Sequence, residues 1–206
     1  MSVITCRSND LRGVRELAKR RLSEAQYNYV GGTTGAWEVT AMTARNGRPL
    51  AHVSHLDVIN GPLKSLPAGT AWIFSGLVRN TRYVTREEYQ ERGTRPLRFA
   101  RTEPTCAALI AVRKSAVWWS LDHRERREIQ ETHSWEGMLA LRYLSAIVRR
   151  WQHRRDVSDQ FDDVTWFEYA PRDSAAFDDL LALWHASEEW EYVERDCDIR
   201  LVHAVN

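Results

Sequence analysis

Cysteines are few in this sequence, and none lies close to another. Its 206 residues include three, Cys6, Cys106 and Cys197, without a C-x-x-C pair. An odd number at wide separations argues against a disulfide framework and against a structural zinc site. The composition therefore favours a reducing compartment, and we predict a cytoplasmic protein.

Long hydrophobic runs are also missing. The longest wholly apolar run extends from Cys106 to Val112, far short of the roughly 20 residues that a membrane-spanning helix requires. The first residues contain no apolar core of the kind found in signal peptides. We therefore predict no association with a membrane.

An excess of charge of one sign is absent as well. The 29 lysines and arginines balance 28 aspartates and glutamates, for a net charge of +1. Such a chain has no overall field to attract nucleic acid, so we predict no nucleic-acid partner. Tryptophan, in contrast, is abundant, with nine residues. Large rings pack cores and line cavities for flat ligands.

Hydrophobic patterns predict an α+β chain without a linker between independent domains. A helix capped by Ser8 or Asn9 is predicted to run to about Tyr27, and the glycines that follow are predicted to break it. Strands are predicted at 37–44, 50–59, 69–78, 107–112, 164–170 and 192–204, and helices at 85–92, 120–155 and 173–190. Asp122 is predicted to cap the charged helical segment that follows it. This order suggests two β-α-β halves of ferredoxin-like type that join into a barrel.

Several segments are too specific for composition to explain. They are Val30–Trp37, Asn80–Glu87, Val112–Trp119, Arg142–Arg150, Asp163–Tyr169, Glu188–Arg195 and Asp198–Leu201. In this order they resemble the short, dimer-forming branch of the chlorite dismutase family. The blocks begin near residue 29, so residues 1–28 are predicted to be an N-terminal helical extension and residues 29–206 the barrel domain. The resemblance implies a ferredoxin-like α+β barrel and a homodimer.

The resemblance also implies a heme b pocket in the C-terminal half. In active heme members of the family, a proximal histidine lies seven residues before a Tyr-Leu pair, and a distal arginine lies six residues after the tyrosine. Tyr143 marks that pair here, and the arginine matches Arg149, but the proximal position is Glu136. The resemblance therefore predicts a pocket without its usual iron ligand.

Two residues could replace the missing histidine. His133 and Glu136 have an H-x-x-E spacing, which places both on one face of a helix. Carboxylates suit non-heme metals, so the pair is a candidate site for copper or iron. Further ligands would have to come from elsewhere in the chain, and the candidates are His52, His55, His153, Glu168 and His185. A polar helix surface is the alternative interpretation of the pair.

Glu136 and Arg149 are the predicted catalytic residues. A carboxyl group in an apolar, tryptophan-lined cavity can have a raised pKa and act as a general acid or base. Arginine stays protonated and can orient an anionic substrate or stabilise negative charge that develops on it. A structural salt bridge is the alternative role for Arg149.

The predicted cofactor-binding residues follow from the resemblance. Lys114, Trp118 and Trp119 match a Lys-x-x-x-Trp-Trp pattern on the cavity side, and Asn80 and Tyr83 match a segment near the heme propionates. Glu188 or Glu189 corresponds to the acid that hydrogen-bonds the proximal histidine. The aromatic residues could instead be kept by core packing.

These features predict an oxidoreductase that acts on a small molecule and uses a non-heme transition metal or an atypically bound heme. Chlorite decomposition is not expected, because it needs well-ligated heme iron. One alternative is a heme b enzyme in which His133 is the axial ligand. Another is a non-catalytic protein that binds heme or a metabolite.

Overall fold

The computed structural model describes residues 26–78, 106–132, 147–153 and 160–203, with the backbone alone at 77–78, 131–132 and 147–153. The strands are β1 Gln26–Gly32, β2 Trp37–Thr43, β3 His55–Asn60, β4 Trp72–Val78, β5 Cys106–Lys114, β6 Ile147–His153, β7 Asp163–Tyr169 and β8 Val193–His203. The helices of the described residues are α1 Ala116–Ser120, α2 His123–Thr132, α3 Ser174–His185 and α4 Glu188–Glu191, with a 3-10 turn at Pro171–Asp173. The α+β composition agrees with the prediction.

The strands form a closed barrel in the order β1-β3-β2-β8-β5-β7-β6-β4, and every neighbouring pair is antiparallel. The barrel consists of two halves with the same internal order, β4-β1-β3-β2 and β8-β5-β7-β6. In each half the first and third strands are central, which is the ferredoxin-like arrangement. The predicted architecture is therefore confirmed.

The two halves differ in how their strands are connected. In the second half α1 and α2 follow β5, and α3 and α4 lie between β7 and β8. In the first half only residues 33–36 separate β1 from β2, although β3 lies between these two strands. A Cβ atom at Gly35 would collide with the backbone of Leu56 in β3. The short link thus passes directly over β3, and glycine permits this close approach.

One apolar cluster fills the inside of the barrel. Its large members are Tyr29, Trp37, Leu56, Trp72, Phe74, Leu109, Phe161, Trp166, Ile199 and Leu201. A second cluster lies on the outer face of the C-terminal half, where α3 packs on the sheet through Phe177, Leu180, Leu181 and Trp184 against Ala108, Ile110, Val112, Phe167 and Tyr169. β5 contributes alternate residues to both clusters, which explains its continuous apolar sequence.

The prediction of helix through residue 155 is wrong at residues 147–153. This segment is β6, which pairs with β7 from Ile147 opposite Tyr169 to His153 opposite Asp163, and its C-terminal end also pairs with β4. Ile147 and Val148 are β-branched and suit a strand, and pairing with two distant strands outweighs the helical spacing of the apolar residues. Arg149 therefore lies on a strand and not on a continuous helix with Glu136.

β1 was not predicted, because its two glycines were interpreted as a break. The strand begins at Gln26, within the last residues assigned to the N-terminal helix and before the predicted domain start at 29. At Gly31 the ring of Trp72 occupies the space of a side chain, and at Gly32 the backbone of Gly69 approaches closely. These glycines are packing positions inside a strand rather than a turn.

Other local predictions are confirmed. Asp122 Oδ1 accepts hydrogen bonds from the backbone N–H of Arg124 and Glu125 at 2.7 and 2.8 Å, while Glu125 Oε2 accepts from the N–H of Asp122 at 2.7 Å. This is a reciprocal capping box at the start of α2.

The predicted helix 173–190 is interrupted at Ala186 and Ser187. None of the helices in the described residues is both long and apolar enough to cross a membrane.

Candidate functional site

A buried lysine at the end of β5 is the centre of the candidate site. The side chain of Lys114 is 1% exposed, and its Nζ donates to Glu189 Oε1 at 2.8 Å and to the Glu189 carbonyl oxygen at 3.2 Å. The same ammonium lies 4.8 Å from the ring centroid of Trp118. A buried charge needs a counter-charge and hydrogen bonds, and Glu189 together with the Trp118 ring supplies them.

Local hydrogen bonds hold Lys114 in this position. Its backbone N–H donates to Asp162 Oδ2 at 2.7 Å, which ties the end of β5 to the residue before β7. The N–H of the next residue, Ser115, donates to the Tyr192 carbonyl at 2.8 Å. Ser115 Oγ then accepts from the N–H of Trp118 at 3.4 Å and caps α1. The end of β5, the start of α1 and the end of α4 therefore meet around this lysine.

The interruption between α3 and α4 brings Glu189 to the site. Ser187 is buried, and its hydroxyl donates to the Trp184 carbonyl at 2.7 Å. The chain turns there and starts α4 at Glu188, which is exposed, whereas Glu189 is half-buried against Lys114. Of the two glutamates proposed from sequence, Glu189 is thus the one at the site. Within the described residues, no group donates to its second oxygen, Oε2.

The two tryptophans after Lys114 have different surroundings. Trp118 is 3% exposed and packs against Tyr192, with ring centroids 5.3 Å apart. Trp119 is partly exposed, and the Arg126 guanidinium of α2 lies 5.5 Å from its ring centroid. The structure therefore brings Lys114 and Trp118 together and places Trp119 toward α2.

Arg149 lies in the middle of β6, directly opposite Phe167 of β7. Phe167 belongs to the outer cluster beneath α3. The other predicted site residues, Asn80, Tyr83, His133 and Glu136, lie outside the described residues. Their grouping with Lys114 stays a prediction.

A second charged cluster on β8 was not predicted. The Arg200 guanidinium donates to Asp198 at 2.8 and 3.0 Å and to Asp178 of α3 at 2.8 Å, and it lies 4.7 Å from the Phe177 ring centroid. Burial lowers the pKa of Arg200, but hydrogen bonds to Asp198, Asp178 and Tyr169 outweigh burial and raise this pKa. Burial raises the pKa of Asp198, and this effect is larger than the lowering of the pKa by the hydrogen bond and charge of Arg200.

His185 lies beside this cluster, in a cleft of about 210 Å³ that Arg45 and Arg200 also line. Its ring centroid is 4.2 Å from that of Trp190, and within the described residues its buried Nδ1 has no hydrogen-bond partner. Burial, followed by the charges of Arg45 and Arg200, lowers the pKa of His185 to about 4. The imidazole is therefore neutral at physiological pH.

The proposed additional metal ligands do not converge in the described part of the chain. His185 contacts Trp190, Glu168 Oε1 accepts from Trp166 Nε1 at 2.8 Å, and His55 Nδ1 is 3.1 Å from Ser54 Oγ. His52 is exposed before β3 begins. Across the described residues, no group of three His, Cys, Asp or Glu side chains is arranged to hold a metal ion.

Comparisons with known proteins agree with the fold. No family model matches the chain. The crystal structure of dimeric chlorite dismutases from Nitrobacter winogradskyi is 40% identical, with a TM-score of 0.76, and the match covers 86% of this chain and 99% of that chain. The chlorite dismutase of Candidatus Nitrospira defluvii in complex with imidazole is 20% identical, with a TM-score of 0.51 over 66% of this chain and 56% of that chain.

A curated chlorite dismutase from Ideonella dechloratans is 28% identical over 108 residues, which are 52% of this chain. The match spans about a third of the length of that relative, 36%. The fold is a ferredoxin-like α+β barrel of the type found in these structures. With 40% identity over nearly all of the Nitrobacter winogradskyi chain, the protein belongs to the chlorite dismutase family.

Proposed function

We propose that this protein is an oxidoreductase that binds an iron porphyrin beside Lys114 and contacts the iron through a group other than the usual histidine. The observation that carries the proposal is the buried Lys114–Glu189 pair against Trp118. Within the described residues no group donates to Glu189 Oε2, so this oxygen can accept a hydrogen bond from a ligand. A buried ion pair with an open acceptor is costly unless a further group completes it. The chlorite dismutase resemblance assigns such a glutamate to the proximal side of heme.

The residues present fit the edge of a porphyrin better than its iron axis. Lys114, Trp118 and Trp119 would line the proximal side, and Asn80 and Tyr83 would contact the propionates. By the spacing of the family, Glu136 would take the position of the axial histidine, and His133 precedes it by three residues. A bound iron porphyrin would supply redox chemistry at the pocket. Carboxylate is a weaker match than imidazole for porphyrin iron, so we expect weak axial contact.

Two side chains of this pocket have distinct proposed roles. Arg149, which stays protonated, would orient an anionic small-molecule substrate and stabilise negative charge on it. Glu136 would either contact the iron or exchange a proton with the substrate. A non-heme copper or iron site at His133 and Glu136 is the competing proposal, and it needs further ligands that the described residues do not group together.

Hemin titration of the protein purified without added cofactor tests the proposal. Wild-type protein should bind hemin with a spectrum unlike that of histidine-ligated heme, and Glu136→His should bind it about tenfold more tightly. Glu136→Gln, which has a similar shape, is the matched control and should not gain affinity. No gain by Glu136→His, or a histidine-type spectrum that disappears in His133→Ala, would contradict the proposal.

Assembly and location are also proposals. The Nitrobacter winogradskyi relative is described as dimeric, and we propose a homodimer here, which light scattering would check. A reducing, cytoplasmic location is consistent with the free thiols of Cys106 and Cys197 in the described part of the chain. Burial raises the pKa of Cys197 to about 12, so this thiol is unreactive.

A further inference from the structure

A chain of aromatic rings runs through the inside of the barrel to one of its ends. Tyr29 stacks on Trp166 with ring centroids 5.5 Å apart, and Trp166 meets Trp37 edge-on at 5.1 Å. Trp37 then meets His203 at 4.9 Å. Tyr29, Trp166 and Trp37 are 0%, 1% and 7% exposed, whereas His203 is exposed. The rings therefore connect the barrel interior with its surface.

The indole N–H of Trp166 has a carboxylate as its hydrogen-bond partner. It donates to Glu168 Oε1 at 2.8 Å, and the two residues lie two positions apart on β7. The core residue Trp72 instead donates to the carbonyl oxygen of Ala51 at 3.0 Å. The two buried indoles therefore differ in their acceptors, a carboxylate for Trp166 and a backbone carbonyl for Trp72.

A carboxylate changes the redox chemistry of an indole. Loss of one electron makes the indole N–H strongly acidic, and a hydrogen-bonded carboxylate can accept that proton. The product is a neutral indolyl radical, so no uncompensated positive charge remains in the core. Trp166 is thus placed to hold an oxidising equivalent, and the ring contact with Trp37 offers a short path for electron transfer.

Trp166 lies on the strand next to β6, which carries Arg149 of the proposed pocket. In the β6–β7 ladder it is opposite Arg150, and the adjacent Phe167 is opposite Arg149. Trp166 belongs to the inner cluster and Phe167 to the outer one. The two side chains therefore lie on opposite faces of the sheet.

We propose that Trp166 and Trp37 form a one-electron relay between the pocket and the end of the barrel, with Glu168 as proton acceptor. Trp166 would give one electron to an oxidised iron porphyrin bound in the pocket, and its Nε1 proton would move to Glu168 Oε1. An electron from Trp37 and the proton on Glu168 would then restore Trp166, and the positive charge would move to Trp37, beside exposed His203 at the end of the barrel. A small phenol or ascorbate-type donor at the barrel end re-reduces Trp37. The iron porphyrin that serves as oxidant rests on the proposed function, whereas electron transfer among Trp166 and Trp37 and proton transfer to Glu168 do not.

The relay can be tested without any porphyrin. Tris(bipyridine)ruthenium(III), generated by a laser flash with a cobalt(III) quencher, oxidises the full chain in solution, and freeze-quench electron paramagnetic resonance detects the radicals with ring-deuterated tryptophan as a label. We expect a neutral indolyl radical that is lost in Trp166→Phe. It should also be lost in Trp37→Phe, because Trp37 connects Trp166 with exposed His203 at the end of the barrel.

Two further variants keep the test decisive. Glu168→Gln keeps the size of the side chain and removes the proton acceptor, so the neutral radical should disappear even if Trp166→Phe does not fold. Trp72→Phe is the control and should give the wild-type signal. If Trp37→Phe and Glu168→Gln both retain that signal, the relay is refuted, and hemin titration still decides the proposed function separately.

Discussion

Lys114 and Arg200 are cations on neighbouring strands, β5 and β8, but within the described residues they differ in how many carboxylates they contact. The Arg200 guanidinium is surrounded by Asp198, Asp178 and the Phe177 ring. Lys114 is more deeply buried, with 1% of its side chain exposed against 24% for Arg200, and among the described residues its carboxylate partner is Glu189 alone. The Arg200 guanidinium already has two carboxylate partners, whereas Glu189 Oε2 in the Lys114 pair can still accept a hydrogen bond from a ligand.

Removing the lysine charge tests this comparison with the largest expected effect. Lys114→Met should lower the free energy of unfolding by about 3–5 kcal/mol, because Glu189 would be left as an unpaired, largely buried carboxylate. Chemical denaturation would measure the change. The double variant Lys114→Met, Glu189→Leu should recover much of the stability but not hemin binding. Recovery of hemin binding in the double variant would mean that the pair is only structural.

Arg200→Met should have a smaller effect, about 2 kcal/mol, since Arg200 is partly exposed and its loss removes the guanidinium that pairs with Asp198. Hemin affinity should stay at the wild-type value, which is the point of contrast with Lys114. The exposed pair of Arg113 and Glu194, at 2.6 Å, offers a control, and Arg113→Met should cost less than about 1 kcal/mol. Weaker hemin binding in Arg200→Met would remove the distinction between the two clusters.

The smallest expected effect is a pH dependence at His185. Its folded-state pKa of about 4 is below the value of about 6.5 for an unfolded chain, so the unfolded state binds the proton more readily. Stability from this group is full above about pH 6.5 and is lost as the pH falls toward 4. His185→Phe, which keeps a ring against Trp190, should flatten the stability profile in this window by about 1 kcal/mol after solvent screening.

Local patterns predicted the elements whose sequence matches their surroundings. The apolar run of β5 is buried on both faces, Trp72 and Phe74 alternate with Ile73 along β4, and the capping box at Asp122 starts α2. β1 and β6 could not be predicted in this way. Their glycines, arginines and helical spacing are compatible with other structures, and only pairing with distant strands makes them strands.

For the candidate site, the family resemblance identified Lys114 and Trp118, which the structure brings into contact. The choice between Glu188 and Glu189 depended on the turn at Ser187, which has no local signature strong enough to predict it. The Arg200 cluster was missed for a similar reason, since Asp178 and Arg200 are 22 residues apart and meet only when α3 packs on β8.

The sequence alone determined the α+β character and the family, because both depend on residue types and their spacing. The same spacing predicts a glutamate, Glu136, where the heme histidine is expected. The tertiary structure decided which carboxylate neutralises Lys114, which cation is saturated and which strands close the barrel. These outcomes depend on contacts between residues far apart in the chain, and such contacts exist only after folding brings the strands and helices together.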